Sequence, residues 1–315
     1  MALQTPSSGL PAGKKKKMMS EKNNNSPPDP ENYKEDSSHY EGHANIWEAI
    51  LGDSGLLVKL LPHIVSQANM RPDWMCEEQN SDGFNFLLFW PTLTPPGIAA
   101  LIRHQAGSET NECETSYPVL EGALVDLRLE SVYPWLNGLE GEICGRTACG
   151  QMISFFDCFY FKNKSQYFLD AIIPFRLFGI AFSLGVPEEQ SLVSSEGRYY
   201  ERQKSKFLKE NPGQGPEDFQ NPSLSLVGSK ILFPSEYCSI YNFRTPIKSV
   251  VSVKIAGLTL YKLGVILGGL DDDELPCELY ASEHVLNGYS PKTGDDIQGV
   301  LRLAGYIASE FEKLQ

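Results

Sequence analysis

No run in this chain approaches the roughly 20 consecutive apolar residues of a membrane-spanning helix. The basic run KKKK at 14–17 is followed by MMSEKNNNS, so the apolar segment of a secretory signal is missing as well, and the expected compartment is the cytoplasm. Met18 and Met19 offer alternative starts. The seven cysteines (76, 113, 144, 149, 158, 238 and 277) contain no CxxC pair and no framework spacing, which argues for free thiols rather than a disulfide scaffold. A G-x-S-x-G elbow, a phosphate-binding glycine loop and a dinucleotide fingerprint are all missing, so no catalytic class is marked by a motif. Clustered cations are scarce too. The net charge is −13, and residues 1–43 hold six Lys against six acids, so the whole negative excess belongs to the remainder. That balance disfavours a general nucleic-acid or anionic-membrane surface.

What is present is enough for a folded body. The 315 residues are 41% hydrophobic, sufficient for one large core or two ordinary ones. The pattern predicts an α+β chain with a mainly β core: N-terminal helices, then two similar antiparallel β-units, barrel-like and comparable to an oligonucleotide-binding fold by analogy only. Five segments follow. Residues 1–43, rich in Pro, Ser, Asn and charge, read as a disordered tail. Residues 44–118 form a helical segment with one buried strand, 119–190 a first β-unit, 191–226 a polar insertion with a basic helix, and 227–315 a second β-unit.

Local signals place the elements. Asn45 and Glu48 have the form of a helix N-cap pair ahead of Ile46, Trp47, Ile50 and Leu51, with a stop at Gly52. The apolar spacing of 55–67 predicts a second helix, kinked at Pro62. Phe84–Trp90 reads as a buried strand, and Thr94-Pro95-Pro96 followed by GIAALIRH as a capped, proline-initiated short helix. From Leu124, strict alternation marks a half-buried strand. A hairpin is expected with arms 142–147 and 152–161 turning at Gly150, then a strand at 175–184. Alternation resumes at 251–255 and 258–263 around Gly257, and again at 277–286 and 297–307, with a short polar helix closing the chain.

The two β regions echo each other. FRLFGIAFS at 175–183 and LRLAGYIAS at 301–309 share Arg176, Leu177, Gly179 and Ser183 with Arg302, Leu303, Gly305 and Ser309. Each block follows a hairpin with a glycine in its turn, Gly150 or Gly257. Equivalent strand positions for Arg176 and Arg302 are therefore expected.

Candidate chemistry is thin. GDSG at 52–55 copies the nucleophile tetrapeptide of trypsin-like serine proteases, but LLVKLL follows it and helices flank it, so helix breaking and capping explains it. Cys144, Cys149 and Cys158 are close in sequence, with Cys144 able to face Cys149 across the turn. They lack neighbouring histidines for a zinc site and read as buried thiols. His39 and His43 have metal-binding spacing on a helix, yet fall in the predicted tail. His63, His104 and His284 are isolated. Asp271, Asp272, Asp273 and Glu274 form the strongest charge cluster, without the alternate spacing of a calcium loop. No cofactor and no metal is expected.

Three functions compete, with enzymatic activity the less favoured. The first is a non-enzymatic acidic interaction or adaptor protein whose partner is another protein. Its contact residues would be Arg176, Arg302, Asp271, Asp272 and Asp273, with Arg198, Arg202 and Lys206 of the basic 198–210 helix. The second is a nucleic-acid-binding β-barrel module using the same cations. The third is a hydrolase built from dispersed residues such as Asp157 or Asp271–Asp273 with His284. No membrane contact is expected, and oligomeric state does not follow from the sequence.

Overall fold

A computed structural model describes residues 39–315 apart from 78–82, 106, 109, 256, 270–273 and 312–315. It is mainly β. Two helices come first, α1 (Ala44–Leu51) and α2 (Gly55–Gln67), and α2 runs through Pro62 as one element. The Asn45–Glu48 cap does not form, because His43 holds the N-cap position and Asn45 is already helical. Gly52 ends α1 with φ 74°, donating its N–H to Glu48 O.

The region 69–119 departs most from expectation. In place of one strand it holds four, β1 (Asn69–Glu77), β2 (Phe84–Trp90), β3 (Gly97–His104) and β4 (Asn111–Val119), in an antiparallel sheet of that order. GIAALIRH is thus the interior strand β3, not a helix. Residues 97–102 are all buried. Such a continuous apolar run suits a strand covered on both faces as well as it suits a buried helix.

The larger sheet is mixed. Its first trio is β5 (Ala123–Pro134), β6 (Gly141–Arg146) and β7 (Met152–Asp157), followed by a helical turn α3 (Tyr160–Asn163) and the long strand β8 (Ile172–Gly185). An excursion follows with β9 (Ser191–Val193), α4 (Gly197–Glu210), β10 (Ser223–Ser225) and β11 (Ile231–Pro234). The second trio is β12 (Ile240–Ile255), β13 (Leu258–Gly268) and β14 (Leu275–Ser282), then α5 (Glu283–Leu286) and the long β15 (Asp296–Ile307).

Pairing runs through the two long strands. β8 and β15 pair antiparallel along most of their length. β5 lies antiparallel on β8, and β12 antiparallel on β15. Each trio then ends on the other half's long strand through a short parallel contact, β7 on β15 and β14 on β8. The expected purely antiparallel units are corrected accordingly: the hydrogen-bonded paths are β5–β6–β7–β15–β8 and β12–β13–β14–β8–β15, and each returns to its first strand.

Register supports the echo in part. Leu127 opposes Ile173, and Phe243 opposes Gly299, with the same spacing between Ile173 and Gly299 as between Arg176 and Arg302. Both first ladders carry a bulge, between Leu129 and Ser131 and between Ile247 and Ser249. Gly179 and Gly305 are also matched. A Cβ on Gly179 would lie 3.5 Å from Cys277 Sγ on β14, and one on Gly305 3.2 Å from Phe155 on β7, so each strand relies on a missing side chain to approach its trio. Two details of the echo fail. Gly150 turns between β6 and β7 whereas Gly257 turns between β12 and β13, so the two hairpins are out of step by one strand. Ser309 lies in a 3₁₀ turn, Ala308–Glu310, beyond the end of β15, and Ser183 lies within β8.

Two cores result. One holds Leu127, Phe155, Phe175, Leu177, Phe243, Val265, Leu279 and Leu303, drawn from both trios and both long strands. The other joins the small sheet to the large one through α1, whose Ile46, Trp47 and Ile50 pack with Trp74, Phe89, Phe156 and Tyr306. Trp47 Nε1 donates to Ser116 O at 2.7 Å, and Ser282 Oγ to Ala49 O at 2.6 Å, so α1 is fastened to both sheets.

Candidate functional site

Among the described residues, a polar cluster is buried where the strap of residues 39–43 crosses the large sheet. Alternation along the β6 edge puts Glu140 and Glu142 on one side, two residues apart. Both are almost fully buried. Each carboxylate meets a histidine: His43 Nε2 lies 2.6 Å from Glu140 Oε1, and His39 Nδ1 lies 2.5 Å from Glu142 Oε2. Asn137 orients Glu140, donating from Nδ2 to Oε2 at 2.7 Å while its Oδ1 accepts the Glu140 N–H at 3.1 Å.

Arg302 closes the cluster. Its side chain is 1% exposed, yet its Nη2 stands 3.7 Å from Glu142 Oε1 and donates to Tyr40 O at 3.2 Å, and its Nη1 donates to Gly42 O. The guanidinium lies against the rings of Trp135, Tyr40 and Phe156 at 5.5–5.8 Å. A buried cation is tolerable only when paired and hydrogen-bonded, and the strap's own carbonyls supply part of that pairing. Burial lowers the affinity of Arg302 for its proton, and the carboxylates of Glu142 and Glu140 oppose that. Burial also lowers the pKa of His43, against the opposing pull of Glu140.

At the edge of this cluster stands Cys238, half-buried, with Sγ 3.8 Å from His39 Nε2. The His39 ring is stacked on Tyr133, centroids 3.4 Å apart and planes within 2°. Ser239 Oγ donates to Glu142. Cys238, His39 and Glu142 therefore form a linear thiol–imidazole–carboxylate chain.

A second buried acid lies on β7. Asp157 accepts from Tyr167 OH at 2.5 Å and from the Phe159 N–H at 3.0 Å, and burial pushes its carboxyl up to about 7. The hydrolase pairing of Asp157 with His284 is not assembled: Asp157 is sealed, whereas His284 is exposed on α5 beside Gly52.

The remaining candidates are scattered. Arg302 is an interior clamp, while Arg176 on β8 is half-buried opposite Tyr306. Arg198, Arg202 and Lys206 are exposed on α4. Asp271, Asp272 and Asp273 lie outside the described residues. Neighbouring Glu274 pairs with Lys230 at 2.5 Å, which holds its carboxyl below the usual range. Asp295 accepts from Tyr289 OH and the Lys292 N–H, and Asp296 from the Gly228 N–H, so both tie down loops. Among the described residues no three metal-ligating side chains converge. Of the three close cysteines only Cys158 is buried; Cys149 is exposed, and Cys144 is half-buried with Ser154 opposite it, not Cys149.

Sequence reasoning missed His39, His43, Glu140, Glu142 and Cys238 as a group. The only available signal was the four-residue spacing of the two histidines.

The excursion between the halves is the second notable region. From Glu188 to Cys238 no residue is buried. Within it Tyr200 and Phe207 pack around Phe219, 5.4 Å between centroids, and β9 pairs with β10 with Leu192 opposite Leu224, while β11 pairs with β12 at the edge of the large sheet and puts Leu232 against the core. Arg244 anchors its base, donating to Glu189 O at 2.6 Å.

No protein-family profile matches the chain, and no curated protein does. Among solved structures, the chain is similar to a cytoplasmic molybdate-binding protein, ModG, in the molybdate-bound form, at 8% identity and a TM-score of 0.28, over 59% of this chain and 97% of that one. A likeness of that size carries no argument here. No single helix among the described residues is long and apolar enough to cross a membrane.

Proposed function

We propose that this is an interaction protein that docks a macromolecular partner of acidic character through the 188–238 arm. The reading rests on one observation: about fifty residues take up helix and strand with no side chain fully buried, although Leu232 of β11 packs against the core. Ordering a segment costs roughly 1–2 kcal/mol per residue in backbone entropy, and burial of its apolar groups is what normally offsets this. Here Leu192, Val193, Leu224, Val227 and Phe233 are each about half exposed or more. A partner surface would cover them, and Arg198, Arg202, Lys204, Lys206 and Lys209 on α4 favour an acidic one. In the same reading the two cyclic strand paths are closed five-stranded barrels sharing β8 and β15, the rigid body that carries the arm.

Nucleic acid is the second reading, favoured by the same helix alone, since Arg302 is buried and unavailable to a phosphate. The test is binding of fluorescent poly-glutamate and of single-stranded DNA by the full chain and by an Arg198→Glu, Arg202→Glu, Lys206→Glu variant. Salt-sensitive binding of the acidic polypeptide, lost in the variant, is expected. Preference for the DNA would move the assignment to the second reading, and binding of neither would overturn both.

A further inference from the structure

The structure assigns Cys238 as a nucleophilic thiol that attacks an ester or thioester carbonyl, with His39 as its base and Glu142 as the residue that positions His39. This activity does not rest on the docking reading: Cys238 closes the arm at its base, and the proposed docking residues lie on α4. A nucleophile, a base within reach of it and a third group orienting the base are the three parts of an activated site. Here all three are placed. Glu142 Oε2 takes the Nδ1 side of His39 at 2.5 Å, which leaves Nε2 facing Cys238 Sγ at 3.8 Å, a separation that closes on substrate binding in such sites. The ring is prevented from turning by the coplanar face of Tyr133, which itself stands opposite Glu142 in the β5–β6 ladder. Glu142 is fixed in turn by Ser239 Oγ and Arg302.

The backbone that carries the thiol is also constrained. It sits in a tight loop before β12, where Ser235 N–H donates to Ile240 O at 2.9 Å, Ile240 N–H to Tyr237 O at 3.1 Å and Tyr237 N–H to Ser235 Oγ at 3.1 Å. Tyr237, the neighbour of Cys238 in sequence, meets Tyr40 edge-on at 5.5 Å, and Tyr133 stacks on His39, so aromatic side chains neighbour both members of the pair and an apolar or aromatic acyl group is the class of substrate assigned.

The step balances within these groups. The Sγ–H proton passes to His39 Nε2, the sulfur electron pair forms an S–C bond at the carbonyl, and the bond to the leaving alcohol or thiol breaks as His39 returns the proton to it. Water, the co-reactant, then attacks the acyl-sulfur carbonyl with His39 again taking the proton, releasing the acid and restoring the thiol.

The experiment uses the full chain and p-nitrophenyl acetate, with acetylated cysteines located by peptide mass spectrometry at pH 7. Exposed Cys149 is the internal control. Cys238 is expected to acetylate at least tenfold faster than Cys149. His39→Gln removes that preference, Glu142→Gln reduces it, and Glu142→Asp recovers part of it while Cys149 stays unchanged. Equal rates at the two cysteines of the unmodified chain, a result that needs no variant to fold, would overturn the assignment, as would a preference that survives His39→Gln.

Discussion

Arg176 and Arg302 occupy matched places on the two long strands, and their surroundings differ completely. Arg302 is sealed beneath the 39–43 strap, with Glu142 and two strap carbonyls as partners and three aromatic rings around it. Arg176 keeps contact with solvent and stands opposite Leu124 and Tyr306. Matched strands in matched register thus carry different chemistry. The difference comes from a segment far away in sequence, residues 39–43, whose carbonyls accept from Arg302. A second contrast follows the same match: Asp157 opposes Gly305 on the first half, and Leu279 opposes Gly179 on the second, so one half carries a buried carboxyl where the other carries an apolar side chain.

The sharpest way to break the comparison is to neutralise both arginines. Arg302→Met should cost about 3–5 kcal/mol in urea unfolding, because Glu142 is left as a buried charge and the strap carbonyls lose their donor. Arg176→Met should stay within about 0.5 kcal/mol, as for a partly solvated surface residue. Similar losses at both would dissolve the contrast.

The Asp157–Leu279 difference gives a pH signature. Asp157 keeps its proton in the fold up to about 7, while the unfolded chain releases it near 3.8. Its contribution is therefore complete below about pH 3.8 and is lost as pH rises toward 7, a decline of about 4 kcal/mol at most. Asp157→Asn should remove that decline and stabilise the protein at pH 8 by about 1–3 kcal/mol. His43 acts in the opposite direction: its pKa is lowered in the fold, so the unfolded chain protonates first and stability falls as pH drops below about 6.5. Unfolding midpoints of both proteins across pH 4–9 check the two limbs.

A smaller effect separates the matched glycines. A Cβ on Gly305 would meet the Arg176 carbonyl oxygen at 2.8 Å, a backbone atom, whereas one on Gly179 meets the Leu279 Cδ1 at 3.1 Å, a side-chain end that can move. Gly305→Ala should cost about 1–3 kcal/mol and Gly179→Ala less than about 1.5 kcal/mol, measured by the same unfolding curves. Smallest of all, reversing Arg198, Arg202 and Lys206 on α4 should change stability by no more than about 0.5 kcal/mol, since nothing on that helix is buried.

Much of the β architecture could be read from side-chain alternation. Val125, Leu127 and Leu129 alternate with Asp126, Arg128 and Glu130, and β5 is a strand with that burial pattern. The strands β1 and β4 could not. β1 buries Arg71 and Trp74 while Met70 and Met75 are exposed, and β4 buries only its C-terminal half, so no period stands out. GIAALIRH misled for the opposite reason: a strand buried on both faces has no alternation left to read. The polar cluster was hidden by distance. His39 and Glu142 are 103 residues apart, and Cys238 is 199 from His39, so no spacing rule connects them. In sequence Arg302 reads as an echo of Arg176 and a candidate for a binding surface, because burial by a non-local strap leaves no trace in its own neighbours.

Amide hydrogen exchange tests the central claim, that Arg302 latches residues 39–43 onto one half only. In Arg302→Met, amides from Tyr40 to Trp47 should exchange at least tenfold faster than in the unmodified protein, while those of 172–177 on β8 keep their protection. Unchanged protection of the strap, or equal loss in both segments, would contradict it.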